Sequence, residues 1–121
     1  MAERIVETKE SLQRTLESLR TLSGGKITHV DSTDYSIRIQ KAQNILLQNE
    51  KKIWLKTKDG KEMLERLSDS SIRLLESVLE IEKSSGADSG KLNNLTTALK
   101  EVEVQALRLD EESRRSGMVV T

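Results

Sequence analysis

The chain has 121 residues, 35% of them hydrophobic and 33% charged, with twenty basic side chains against twenty acidic ones and no cysteine. That length holds one domain, the charge balance removes the usual electrostatic argument for nucleic acid, and the missing cysteine excludes a disulfide framework and a thiolate metal site. No apolar run approaches the roughly 18 residues of a membrane span, and Met1–Arg20 has no signal-peptide core, so the expected location is cytoplasmic or nuclear, not secreted.

The first predicted helix covers residues 2–22. Its apolar positions Ile5, Leu12, Leu16, Leu19 and Leu22 recur at the three, four or seven spacing of one buried stripe. Ser23-Gly24-Gly25 ends it, because glycine takes the left-handed conformation after a helix without steric penalty. In the connector that follows, Asp31 is the expected N-cap of the second helix, with Asp34 as its acidic partner. Val30 and Tyr35 would then be the apolar staple across that cap.

From Ile39 onward one position recurs every seven residues: Ile39, Leu46, Ile53, Gly60, Leu67, Leu74 and Ile81. A seven-residue apolar repeat is the mark of a coiled-coil-like seam. The chain also lacks proline, the strongest interrupter of helices. The interruption to be explained is Asp59-Gly60, which reads either as a turn with Asp59 as the N-cap of a separate helix or as a glycine tolerated inside a helix at about 1 kcal/mol. The lone dipeptide stands between strong helix formers and the phase is kept across it. The favoured expectation is therefore one continuous helix over 33–84, with a break at Asp59-Gly60 and a compact up-down four-helix bundle as the alternative.

Ser84–Gly90 is a loop by composition. A last helix over 91–115 shows Leu92, Leu95, Leu99, Val102, Ala106 and Leu109 spaced by three and four, with Val104 and Leu107 as a second apolar flank. Residues 117–121 form a tail. The fold class expected is all-α: an antiparallel, coiled-coil-like bundle of three helices forming one domain over 1–121.

Candidate chemistry is sparse. His29 is the only histidine, and no nucleophile–base pair, phosphate-binding loop or Ca²⁺ loop is present. The reading is a non-enzymatic protein with no cofactor, metal or small-molecule substrate. The unusual stretch is Lys51–Lys61, where five lysines surround Ile53-Trp54-Leu55. On a helix these three apolar side chains point about 100° apart and cannot all enter one seam. Either Trp54 sits where several helices meet, or it is the hot spot of a partner-binding patch formed by Ile53, Trp54 and Leu55 with Lys51, Lys52, Lys56 and Lys58.

Two functions follow. The first is a structural or adaptor subunit of a larger assembly. A 52-residue helix is about 78 Å long, and its apolar stripe would outrun the two shorter helices, implying a homo-oligomer or hetero-assembly. The second is a compact binding module presenting the Trp54 patch to one client. The general outline is similar to that of three-helix cochaperone domains, SNARE amino-terminal bundles and tubulin-folding chaperones, none of whose motifs is present residue for residue. Nucleic acid and membrane are not expected partners.

Overall fold

The computed structural model describes residues 2–22, 27–84 and 88–116. Among them the chain forms four α-helices: α1 (Ala2–Leu22), α2 (His29–Asn49), α3 (Lys58–Lys83) and α4 (Ser89–Ser116). A short 3₁₀ turn, Ile53–Lys56, stands between α2 and α3. Ser23–Gly25, residues 85–87 of the last linker, the tail 117–121 and the side chain of His29 lie outside the described residues.

The all-helical bundle class holds, but the three-helix count and the continuous central helix do not. The expected 33–84 helix is two helices. The chain leaves the first at Asn49 and starts the second at Lys58, so the break precedes Asp59-Gly60. The reason lies in Ile53-Trp54-Leu55. A helix running through would hold part of this apolar run in water. Turning the corner instead lets Trp54 and Leu55 both enter the interior, at 5% and 1% exposure, and leaves Ile53 outside at 49%. Burying a side chain of that size contributes about 1.5–3 kcal/mol, more than the roughly 1 kcal/mol at stake in helix propensity.

The helix starts are also shifted from expectation. Thr28, not Asp31, caps α2, its hydroxyl accepting the Asp31 backbone N–H at 3.1 Å. The residue before that cap, Ile27, is buried, whereas Val30 is 76% exposed and staples nothing. Thr57, not Asp59, caps α3, accepting the Gly60 N–H at 3.1 Å. In α4 the Asp88 carboxylate accepts the Lys91 N–H at 2.8 Å.

Packing order follows from the contacts. α1 lies beside α2 and α3, and α4 lies beside α2 and α3, so α1/α4 and α2/α3 are the diagonals of a square. The Lys9–Glu50 ion pair and the Ser32 hydroxyl bonded to the Leu19 carbonyl make α1 and α2 antiparallel. Arg38–Glu103 and Asn49–Asp110 make α2 and α4 parallel. Loops join neighbours at α1–α2 and α3–α4, but the α2–α3 connection crosses the diagonal. With helices 8–10 Å apart that diagonal is about 11–14 Å, too far for a two-residue turn at about 3.3–3.6 Å per residue. Residues 50–57 span it.

One core fills the square, including Leu12, Leu19, Ile39, Leu46, Leu64, Leu67, Leu74, Ile81, Leu95, Leu99 and Leu109, all with 1% exposure or less. Apart from Ile53, every position of the seven-residue repeat is buried. α3 forms the most extensive interfaces, with α1 and α4. Hydroxyls add to the interior: Thr8, Thr15 and Ser71 are buried and donate to the carbonyls of Arg4, Ser11 and Leu67 four residues back. Bonding to their own helix satisfies these hydroxyls and lets the helices approach.

Candidate functional site

The corner between α2 and α3 closes one end of the bundle, and its keystone is the Trp54 carbonyl. The Thr57 N–H donates to it at 3.0 Å and the Thr57 hydroxyl at 2.6 Å, while that same hydroxyl accepts from Gly60. Gly60 lies directly beneath. A Cβ there would stand 2.1 Å from the Trp54 oxygen and 2.7 Å from the Leu55 Cα, separations that no side chain tolerates. Gly60 thus holds its place in the seven-residue repeat because the corner needs bare backbone there. The turn is sealed below by Lys52–Asn49 and Leu55–Lys52 backbone bonds at 3.0 and 3.2 Å.

Seen from outside, the predicted binding set divides. Trp54 and Leu55 belong to the core and position the corner. Lys51, Lys56 and Lys58 are exposed, Lys52 is half-buried, and Ile53 stands among them half-exposed. Lys61, in the first turn of α3, is exposed too. None of these five lysines has an acidic partner within 4 Å among the described residues, whereas the nearby Glu50 is held by Lys9 at 2.7 Å. Asp59 and Glu62 turn toward α4, where they line a groove of about 340 Å³ with the Trp54 edge, Met63, Arg66 and Glu112. The corner therefore shows a net cationic surface, five lysines against Glu50, Asp59 and Glu62, on a chain of zero net charge.

A second surface went unread in the sequence. The parallel pair α2/α4 encloses an apolar groove of about 280 Å³ lined by Ala42, Ile45, Ala106 and Leu107, with Arg38, Lys41, Asn44 and Glu103 at its margin. Arg38 donates through Nε at 3.0 Å and through its terminal nitrogen to the same Glu103 oxygen, and Asp34 stands 3.6 Å away. Glu103 is half-buried in this pair. Its hydrogen bond, together with Asp34, holds the guanidinium pKa above the ordinary arginine value despite partial burial. Farther along the groove the buried Asn49 amide donates to the Ile45 carbonyl at 2.8 Å and to Asp110 at 3.0 Å. Asp110 also accepts from Arg114 at 3.2 Å. The signal available in the sequence was Val30 and Ile37, apolar and seven apart but out of phase with the Ile39 stripe.

Among the described residues no group of three or more His, Cys, Asp or Glu is placed to hold a metal ion, and no helix is long and apolar enough to cross a membrane. No family model, curated protein or solved structure matches the chain.

Proposed function

We propose that the chain is a non-enzymatic helical binding module that receives an acidic segment of a partner protein at the bundle end closed by residues 50–61. The observation that supports this most is the group of five lysines around the half-exposed Ile53, none with an acidic partner within 4 Å among the described residues. Clustered ammonium groups repel one another, and an acidic ligand relieves that repulsion. Ile53 gives the ligand an apolar contact at the centre of the charge, and Trp54 and Leu55 hold the backbone beneath it rigid. A preorganised surface loses little freedom on binding.

The reading that composition favoured, a structural or adaptor subunit of a larger assembly, drew its support from apolar stripes that a three-helix chain could not cover. Those stripes are covered here within one chain, so that argument no longer favours it.

The test is a titration of the labelled protein with a Glu-rich peptide of about 15 residues carrying a central Leu-Leu pair, a size suited to one helical groove or patch. Amide shifts should cluster at 51–61, weaken as salt screens the lysines, and disappear in the double variant Lys52→Glu/Lys56→Glu. Shifts spread evenly over the bundle, or unchanged by that double variant, would reject the site.

A further inference from the structure

Among the described residues, three of the six large apolar side chains most exposed lie on α2: Val30 at 76%, Ile37 at 49% and Leu47 at 50%. Leu47 turns toward α1, where it lines a groove with Lys9, Gln13 and Gln43. Val30 and Ile37, one heptad apart, fall on the opposite flank, in line with Asp34, Lys41 and the groove residue Ile45. Leu107 of α4 adds a fourth apolar side chain beside Ile45, at 60% exposure. The outer side of the α2/α4 pair therefore carries a strip in which Val30, Asp34, Ile37 and Lys41 are exposed among the described residues and Ile45, half-buried against the core, forms the inner end.

The order of residues along the strip selects its partner. Acidic Asp34 lies on the N-terminal side of Ile37 and basic Lys41 on the C-terminal side. Laid antiparallel on a second copy of itself with the two-fold axis at Ile37, the strip sets Asp34 against Lys41, Val30 against Ile45 and Ile37 against the two-fold, each contact occurring twice. A parallel arrangement would set Asp34 against Asp34 and Lys41 against Lys41, which like charges oppose. We infer that the α2/α4 face is a homodimer interface in which two copies of the chain pack α2 antiparallel about Ile37.

Area is consistent with this occupant. Two adjacent helices offer a face about 30 Å long and 20 Å wide, roughly 600 Å² per copy. The total of about 1,200 Å² clears the roughly 1,000 Å² expected of a specific interface, whereas α2 alone would supply half of that. The Leu107 side is needed, and the association is reversible at the lower end of the size range. The bundle end proposed above for an acidic ligand lies off this face, so the two can be tested apart.

Sedimentation velocity of the whole chain, from micromolar concentration up to about 1 mM, reads the outcome. The expected result is a reversible monomer–dimer equilibrium, weakened at least about tenfold by Ile37→Glu and also by Val30→Glu at the rim. Asp34→Lys and Lys41→Asp should each weaken it, and the double variant Asp34→Lys/Lys41→Asp should return it to within about threefold of the parent. All these side chains are exposed, so circular dichroism should show each variant as helical as the parent. A chain monomeric throughout the range, a dimer indifferent to both Ile37→Glu and Val30→Glu, or a double charge variant no tighter than the singles would overturn the proposal.

Discussion

Two helices of this bundle begin with a glycine in their first turn, and the two glycines do opposite things. In α3, Gly60 is buried beneath the corner and would place a Cβ against backbone at 2.1 Å. In α4, Gly90 is exposed, and its Cβ would meet only the tip of the Asp88 side chain at 3.3 Å. Both helices are capped by a side-chain oxygen, Thr57 in one and Asp88 in the other. The difference is what rests on the turn. α4 follows a loop between neighbouring helices, while α3 follows a connection that crosses the diagonal and brings its own backbone down on the helix it introduces. A glycine read from sequence as a tolerated interruption can thus be a steric requirement set by a segment five or six residues earlier.

The largest effects belong to the corner itself. Trp54→Ala removes the side chain that the crossover buries and should cost about 3–5 kcal/mol in chemical denaturation, the range for large aromatic truncations in cores. Gly60→Ala should cost about 2–4 kcal/mol, because the new Cβ must displace backbone rather than a flexible side chain. Elsewhere in a helix the same substitution is favourable, so the sign of this change is diagnostic. Thr57→Ala should lose about 1–2 kcal/mol, since its hydroxyl both caps Gly60 and donates to the Trp54 carbonyl. Thr28→Ala, where only the exposed bond from Asp31 is lost, should fall at about 0.5–1 kcal/mol, the low end for caps. Gly90→Ala should stabilise the chain, by up to about 1 kcal/mol, if the Asp88 carboxylate yields the few tenths of an ångström required.

The smallest effect belongs to the third capped start, that of α2. Tyr35 is the only tyrosine of the chain, and burial, followed by the nearby Asp31, raises its phenol above the ordinary value of 10.0, with Arg38 acting in the opposite sense. The neutral phenol is the form the folded state favours. Its contribution is therefore complete below pH 10.0 and is lost as the pH rises through the higher folded value. Tyrosinate absorbance should appear at higher pH in the folded chain than after denaturation; coincident titrations would contradict the burial of Tyr35.

Much of the interior was legible beforehand because helical periodicity reports burial directly. The stripe through Leu95, Leu99 and Val102 and the repeat through Ile39, Leu67 and Ile81 lie in the core as expected. What periodicity could not report was chain reversal. Ile53 and Gly60 kept the seven-residue phase across a corner, so the pattern looked continuous while the backbone turned away. The run Ile53-Trp54-Leu55 held the contrary information, since three consecutive apolar residues do not suit one helical seam, and Thr57 was the cap that Asp59 obscured. At the bundle end, the lysines were visible as a cluster, but their lack of acidic partners depends on Glu50 being drawn to Lys9 in another helix. The outward face of α2 was illegible for a related reason. Val30 and Ile37 join the apolar count of the helix whichever way they point, and only the packing of α1 and α4 against α2 decides that they face out.

Between α2 and α3 the chain turns back across the diagonal of the bundle. Because the chain has no cysteine, a Gln40→Cys/Glu76→Cys variant accepts exactly two spin labels, both at exposed positions on these helices. Measured by pulsed dipolar spectroscopy after dilution with unlabelled protein, the bundle predicts a single distribution centred at about 20–30 Å, from a diagonal of about 11–14 Å, the offset along the axes and the reach of the labels. One helix running through Gly60 would hold the two positions about 54 Å apart at 1.5 Å per residue, and a distribution centred there would contradict the reversal.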